Sequence, residues 1–192
     1  MPASKLPFRL FIALAILFLM TSKSRLGEST GYAQTVASED QLQAAFLYNF
    51  GKFVEWPPSA FSAPNSKFNI CVLGKNYFGT ILDGISRSKE LKKRKIEIHY
   101  LDKCCPQETC HVLFVESEWG GDMAHLLKKI QDTPVLTVSN AERFIRMGGI
   151  IRFYLEGDQL RFAINLDAAQ KANLTISSEL LKLARIVQRT KP

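Results

Sequence analysis

Positions 42, 45, 46, 49, 50 and 53 (Leu, Ala, Phe, Asn, Phe, Phe) recur at helical spacing. Ser38, with Gln41 three residues on, is a capping-box pattern, and Trp56-Pro57-Pro58 stops the helix. Lys67–Gly74 reads as a strand closed by glycine. The stripe Phe78, Ile81, Leu82 and Ile85 predicts a helix within 76–87. Arg94–Leu101 alternates like a half-buried strand, and Cys110–Val115 is a short apolar run of buried-strand type. A helix follows over 122–131, then a strand over 134–139, with Ser139 or Asn140 capping a short helix to Arg146. Met147-Gly148-Gly149 marks a turn. Strands 150–155 and 159–166 are joined by Glu156-Gly157-Asp158, a hairpin signal. A short helix is expected over 167–172. Ser177 or Ser178 caps a last helix, whose Leu180, Leu181, Ala184 and Val187 share one face. This order predicts an α/β fold: a single domain with a mixed β-sheet flanked by helices.

The first 33 residues stand apart. Lys5 and Arg9 precede the apolar run Leu10–Met20, and polar residues follow at once. The run is far shorter than the roughly 20 residues a spanning helix needs. A signal peptide over 1–33 is expected, cut after Gly31-Tyr32-Ala33, with an uncleaved anchor as the rival. No cysteine just past the run offers a lipoprotein attachment point. The protein would then work outside the cytosol, where ATP- or NAD-driven chemistry is disfavoured. Residues 34–192 suffice for one domain with a true core.

Charge adds little. The leader carries four basic residues and one acidic one, so the formal +7 falls to +4 in the mature chain. The basic run Arg87, Lys89, Lys92–Lys95 lacks interleaved aromatics and reads as a solvated loop rather than a nucleic-acid patch. Cys71, Cys104, Cys105 and Cys110 in an exported chain point to disulfides. A bridge between the adjacent Cys104 and Cys105 is strained, which leaves two complete connectivities. Zinc competes through Cys104, Cys105, Cys110 and His111, but the spacing matches no C-x2-C pair.

Catalytic signals are thin. His99, His111 and His125 lack the i, i+4 partner of a helical metal site. No serine sits in a nucleophile elbow, and there is no phosphate-binding glycine loop. Gly74, between a strand and a helix, is weak evidence for an anion site, since chain reversal explains it. No catalytic, cofactor-binding or metal site is expected.

The chain as a whole resembles the YfiR family. The first helix carries AAFLYNF (44–50), Lys52-Phe53 and Trp56-Pro57, and the first strand ICVLG (70–74). CHVLF (110–114), LTVS (136–139), Phe144, Gly148-Gly149, Arg161-Phe162 and Ile164-Asn165 follow in order. Ala168-Ala169, Leu174, Ile176-Ser177-Ser178, Leu180-Leu181, Leu183-Ala184 and Ile186-Val187 complete the likeness, which spans about 41–187. The resemblance implies a periplasmic repressor, not an enzyme. It implies binding to the periplasmic sensor domain of a membrane diguanylate cyclase, which lowers cyclic-di-GMP and biofilm formation. It also implies an outer-membrane lipoprotein that sequesters the repressor, and it admits a homodimer. Some members have a second cysteine pair near the glycine turn, where Ile145 and Arg152 stand here.

Within this frame Cys71 and Cys110 lie in strands expected side by side, so a Cys71–Cys110 disulfide is the expected bridge. Its rival joins Cys71 to Cys104 or Cys105. Composition nominates Trp56, Trp119, Phe153 and Tyr154 as partner-binding residues. Two other readings stay open. A periplasmic small-ligand binding module requires a pocket with convergent polar groups. An exported enzyme requires titratable groups clustered in a cleft.

Overall fold

The computed structural model describes residues 38–103 and 110–187. Helix α1 (Glu39–Phe53) opens on the expected capping box: Gln41 N–H donates to Ser38 Oγ, and Ser38 N–H donates to Gln41 Oε1. Its buried stripe is Ala44, Leu47, Phe50 and Gly51, whereas Leu42 and Ala45 are exposed. The face is therefore turned from the expected one. The cause is close approach: a Cβ on Gly51 would lie 2.5 Å from Leu91 Cδ1. Small residues let the helix settle on that side, and Phe46 and Phe53 flank it half-buried.

The main sheet has eight strands. They are β2 (Phe68–Leu73), β3 (Glu90–Leu91), β4 (Arg94–Leu101), β5 (Val112–Val115), β6 (Leu136–Ser139), β7 (Ile151–Glu156), β8 (Gln159–Asn165) and β10 (Arg185–Val187), in the order β10-β8-β7-β6-β5-β2-β4-β3. The strands from β4 through β7 run parallel; β3 joins β4, and β8 joins β7, antiparallel. A two-stranded ribbon, β1 (Val54–Glu55) with β9 (Thr175–Ile176), ties the end of α1 to the C-terminal region. This is the mixed α/β sheet expected from the pattern.

The two faces are covered unequally. Alternate residues such as Ile70, Val72, Phe114, Val138, Ile151 and Ile164 join the larger core. That core also takes side chains from α1, α2 (Ile81–Ser88), α4 (Leu166–Lys171) and α5 (Ser178–Leu183). Phe50 is its centre, with ring centroids 5.7 Å from Phe153 and 5.2 Å from Phe162. The opposite face carries a smaller core of Cys71, Leu73, Leu113 and Val115, covered by α3 (Met123–Ile130) through Leu126.

Several expectations change. Residues 141–147 form successive turns, not a short helix, although Ser139 Oγ does accept from Ala141 N–H at 3.0 Å. Phe144, fully buried, accepts at its carbonyl from Gly149 N–H, and this tight loop leaves no room for a regular helix. The last helix stops at Leu183. Ala184 is extended, and Arg185–Val187 pairs with β8 in parallel, so Val187 belongs to a strand. The basic run is partly a turn: Lys92 and Lys93 sit at φ 52° and 61° between β3 and β4. Lys92 Nζ donates to the Lys52 carbonyl, and Arg94 donates to the carbonyls of Ala63 and Ser66.

Candidate interaction site

The sulfurs of Cys71 and Cys110 are bonded, with Cα atoms 5.8 Å apart. Cys71 is in β2, and Cys110 lies two residues before β5, which pairs with β2. Cys104 and Cys105 lie outside the described residues.

Next to this bridge, His111 is 2 % exposed and packs on both Phe61 and Phe68, at 4.5 and 4.9 Å between centroids, and those two rings are themselves 6.4 Å apart. Asn69 N–H donates to Nδ1 at 3.0 Å, so Nε2 carries the proton and donates to the Ala60 carbonyl at 3.1 Å. Burial pushes its pKa down to about 4, against the hydrogen bond to the Ala60 carbonyl. The folded state keeps the imidazole neutral, whereas the unfolded chain protonates it near pH 6.5. This contribution is complete above pH 6.5 and is lost as pH falls toward 4, an effect of about 2–3 kcal/mol. Urea midpoints between pH 7.5 and 4.5 should fall accordingly, and His111→Gln should flatten much of that slope.

The nominated partner residues separate. Trp56 is 8 % exposed; its Nε1 donates to the His111 carbonyl and its ring meets Phe68 edge-on. Phe153 is 1 % exposed and stacks on Phe50. Both are buried in the core. Composition cannot separate a core aromatic from an exposed one, because burial is set by strand register. Trp119, after β5, and Tyr154, on β7, are half-buried and keep accessible surface.

The expected locations for chemistry are filled or scattered. The switch point of the sheet is between the ends of β2 and β5, because the chain leaves β2 for β4 on one side and resumes at β5 on the other. There a Cβ on Gly74 would lie 2.9 Å from Glu116 Cβ and 3.4 Å from Trp119 Cβ, so the loop after β5 packs directly on this glycine. Helix α2 begins seven residues later, so no helix N-terminus meets Gly74. Glu116, 3 % exposed, accepts from Glu118 N–H and the Ser117 hydroxyl. Glu97 accepts from Lys67 at 2.6 Å, and this hydrogen bond holds its carboxyl below the usual value. Among the described residues no three His, Cys, Asp or Glu side chains are placed to hold a metal.

What the fold leaves open is on the α3 side. The link from β6 to β7 is a run of turns, and β7 to β8 is a tight hairpin through Gly157 and Asp158. Neither supplies a crossover helix, so among the described residues no helix covers β7 and β8 there. Arg152 and Tyr154, which alternate with buried Ile151 and Phe153, face that side, with Arg161 paired to Tyr154 on β8. The Arg152 guanidinium lies 5.9 Å from the Tyr154 ring centroid. Beyond this patch, a groove of about 940 Å³ runs between α3, the turns and α4.

The YfiR/HmsC-like family matches this chain over residues 40–185. The chain belongs to that family. The YfiR/HmsC-like match takes in both cores, the Cys71–Cys110 bridge and the open side of β7 and β8. No curated protein matches the chain.

Proposed function

We propose that this protein is a periplasmic repressor of an inner-membrane diguanylate cyclase. The YfiR/HmsC-like match over 40–185 carries the reading. In this proposal residues 1–33 are a leader removed on export. The mature domain binds the cyclase's periplasmic sensor in its inactive conformation. Repression then needs no catalytic group, only unequal affinity for two sensor states. Moving an even mixture to 99:1 takes about 100-fold preference, or roughly 2.7 kcal/mol. The bare side of β7 and β8, with Tyr154 and Arg161, is the contact surface, and Trp119 is a second candidate at the far rim. An aromatic with arginines on a flat strand pair suits a protein partner. An outer-membrane lipoprotein competing for the repressor would release the cyclase, and a homodimer is compatible with this role.

Deleting the gene in a strain that keeps the cyclase should raise cyclic-di-GMP severalfold. The full chain should restore it; a version lacking residues 1–33 should not. Tyr154→Ala with Arg161→Glu should abolish repression while the unfolding free energy from urea denaturation stays within about 0.5 kcal/mol of the parent. An unchanged cyclic-di-GMP level on deletion would defeat the proposal.

A further inference from the structure

The groove beside the open strands has a definite chemical character. It forms where β6 and β7 begin and β8 ends, between α3, the turns and α4. Its apolar surface comes from Ile130, Val135, Ile145, Met147 and Val187, all half-buried and therefore neither sealed in the core nor fully solvated. Its polar margin is cationic. Lys128 on α3, Arg146 on the turns and Lys171 on α4 line it from three separate elements. Among the described residues the lining carries one carboxylate, Asp167. Among the described residues none of the three cations forms an ion pair. The volume, about 940 Å³, falls within the range of small-molecule pockets, roughly 300–1,000 Å³.

We infer that this groove binds a small amphipathic anion, its apolar body against Ile145, Met147 and Val187 and its carboxylate or sulfonate among Lys128, Arg146 and Lys171. Charge complementarity selects the occupant. Cations from three directions at the rim of an apolar concavity favour a compact anionic head on an apolar tail, and they disfavour a cation or a neutral hydrocarbon. Arginine adds a planar fork suited to an oxyanion. The inference concerns binding alone and does not depend on the cyclase reading.

The test uses the mature chain, residues 34–192, with its disulfide intact. Anilinonaphthalene sulfonate, a fluorescent amphipathic anion, should bind saturably at one site. Decanoate should displace it; decyltrimethylammonium, with a like tail and opposite charge, should not. Replacing Lys128, Arg146 and Lys171 together by Gln should weaken binding at least tenfold, and the same change at Lys93 and Lys95 should leave it unchanged. All three groove cations are exposed, so the fold should survive, as near-UV circular dichroism will check. Ala124→Trp, which fills the groove from an exposed position of α3, should also abolish binding. Displacement by the cationic detergent as strong as by decanoate would overturn the inference. So would unchanged affinity in the triple variant, or binding of an acidic peptide but of neither small anion.

Discussion

Replacing His111 by Ala should destabilise the folded protein by about 4 kcal/mol, one of the largest losses expected for any single side chain here. Three effects add. The imidazole leaves a void beside Phe61 and Phe68, whose rings both pack on it. Asn69 N–H and the Ala60 carbonyl lose their side-chain partner. An unsatisfied buried backbone group costs about 1–3 kcal/mol. The segment containing Trp56 and the short 3-10 turn Pro58–Ala60 also loses its anchor, although Trp56 still reaches the residue 111 carbonyl. His111→Asn keeps an acceptor near the Nδ1 position and should recover part of the loss. Urea denaturation at pH 7.5, above the range where this histidine titrates, gives the comparison without a protonation term. A loss under about 1 kcal/mol for His111→Ala would mean that solvent reaches these groups and that the ring contacts contribute little.

His111 also marks a boundary of what the chain discloses on first reading. That it lacks the i+4 partner of a helical metal site and lies in the apolar run 110–115 was legible. Its partners were not, because Ala60 and Phe61 stand about fifty residues away in an irregular segment with no periodicity. The same contrast runs through the fold. Strand β4 falls on the residues its alternation marks, 94–101, and hairpin β7–β8 turns at Gly157 and Asp158 as the Gly-Asp signal requires. Elements held by distant contacts were hidden. The ribbon β1–β9 has two residues per strand, too few for any pattern. Strand β10 carries a helix-like apolar spacing, Leu180 to Val187, which pairing with β8 overrides after Ala184. Helix α1 was found, but its face was misjudged, because apolar spacing gives weight to Leu42 and none to Gly51. Close packing against Leu91 selects the glycine side.

The candidate site was harder to read for a related reason. Trp56, Phe153 and Tyr154 are alike in composition, and only register places the first two inside and the third on an open strand face. The groove cations come from positions 128, 146 and 171, on three elements that the topology brings together. No local motif could announce them. The covering of a sheet face depends on which connections carry helices, and the missing one, between β6 and β7, was expected to hold a short helix. Its replacement by turns leaves the groove open.

Removing the bridge should cost nearly as much as removing His111. The double variant Cys71→Ala, Cys110→Ala should lose about 3–4 kcal/mol, from the closure entropy of a 39-residue separation. The bond joins β2 to the segment entering β5, across the join on which the parallel sheet is built. Cys71 is 1 % exposed and Cys110 8 %, so both sulfurs also fill space in the smaller core with Leu73, Leu113 and Leu126. Reduction of the parent protein should therefore reproduce most of the loss while keeping that packing, and reductant should not alter the stability of the double variant. The single variants differ in kind. Cys71→Ala leaves Cys110 free to pair with Cys104 or Cys105 a few residues away, which closes only a short loop and recovers little stability. Non-reducing peptide maps of Cys71→Ala should then contain a new link from Cys110 to one of those two. Equal urea midpoints for the parent and the double variant would defeat the claim that this bridge stabilises the sheet.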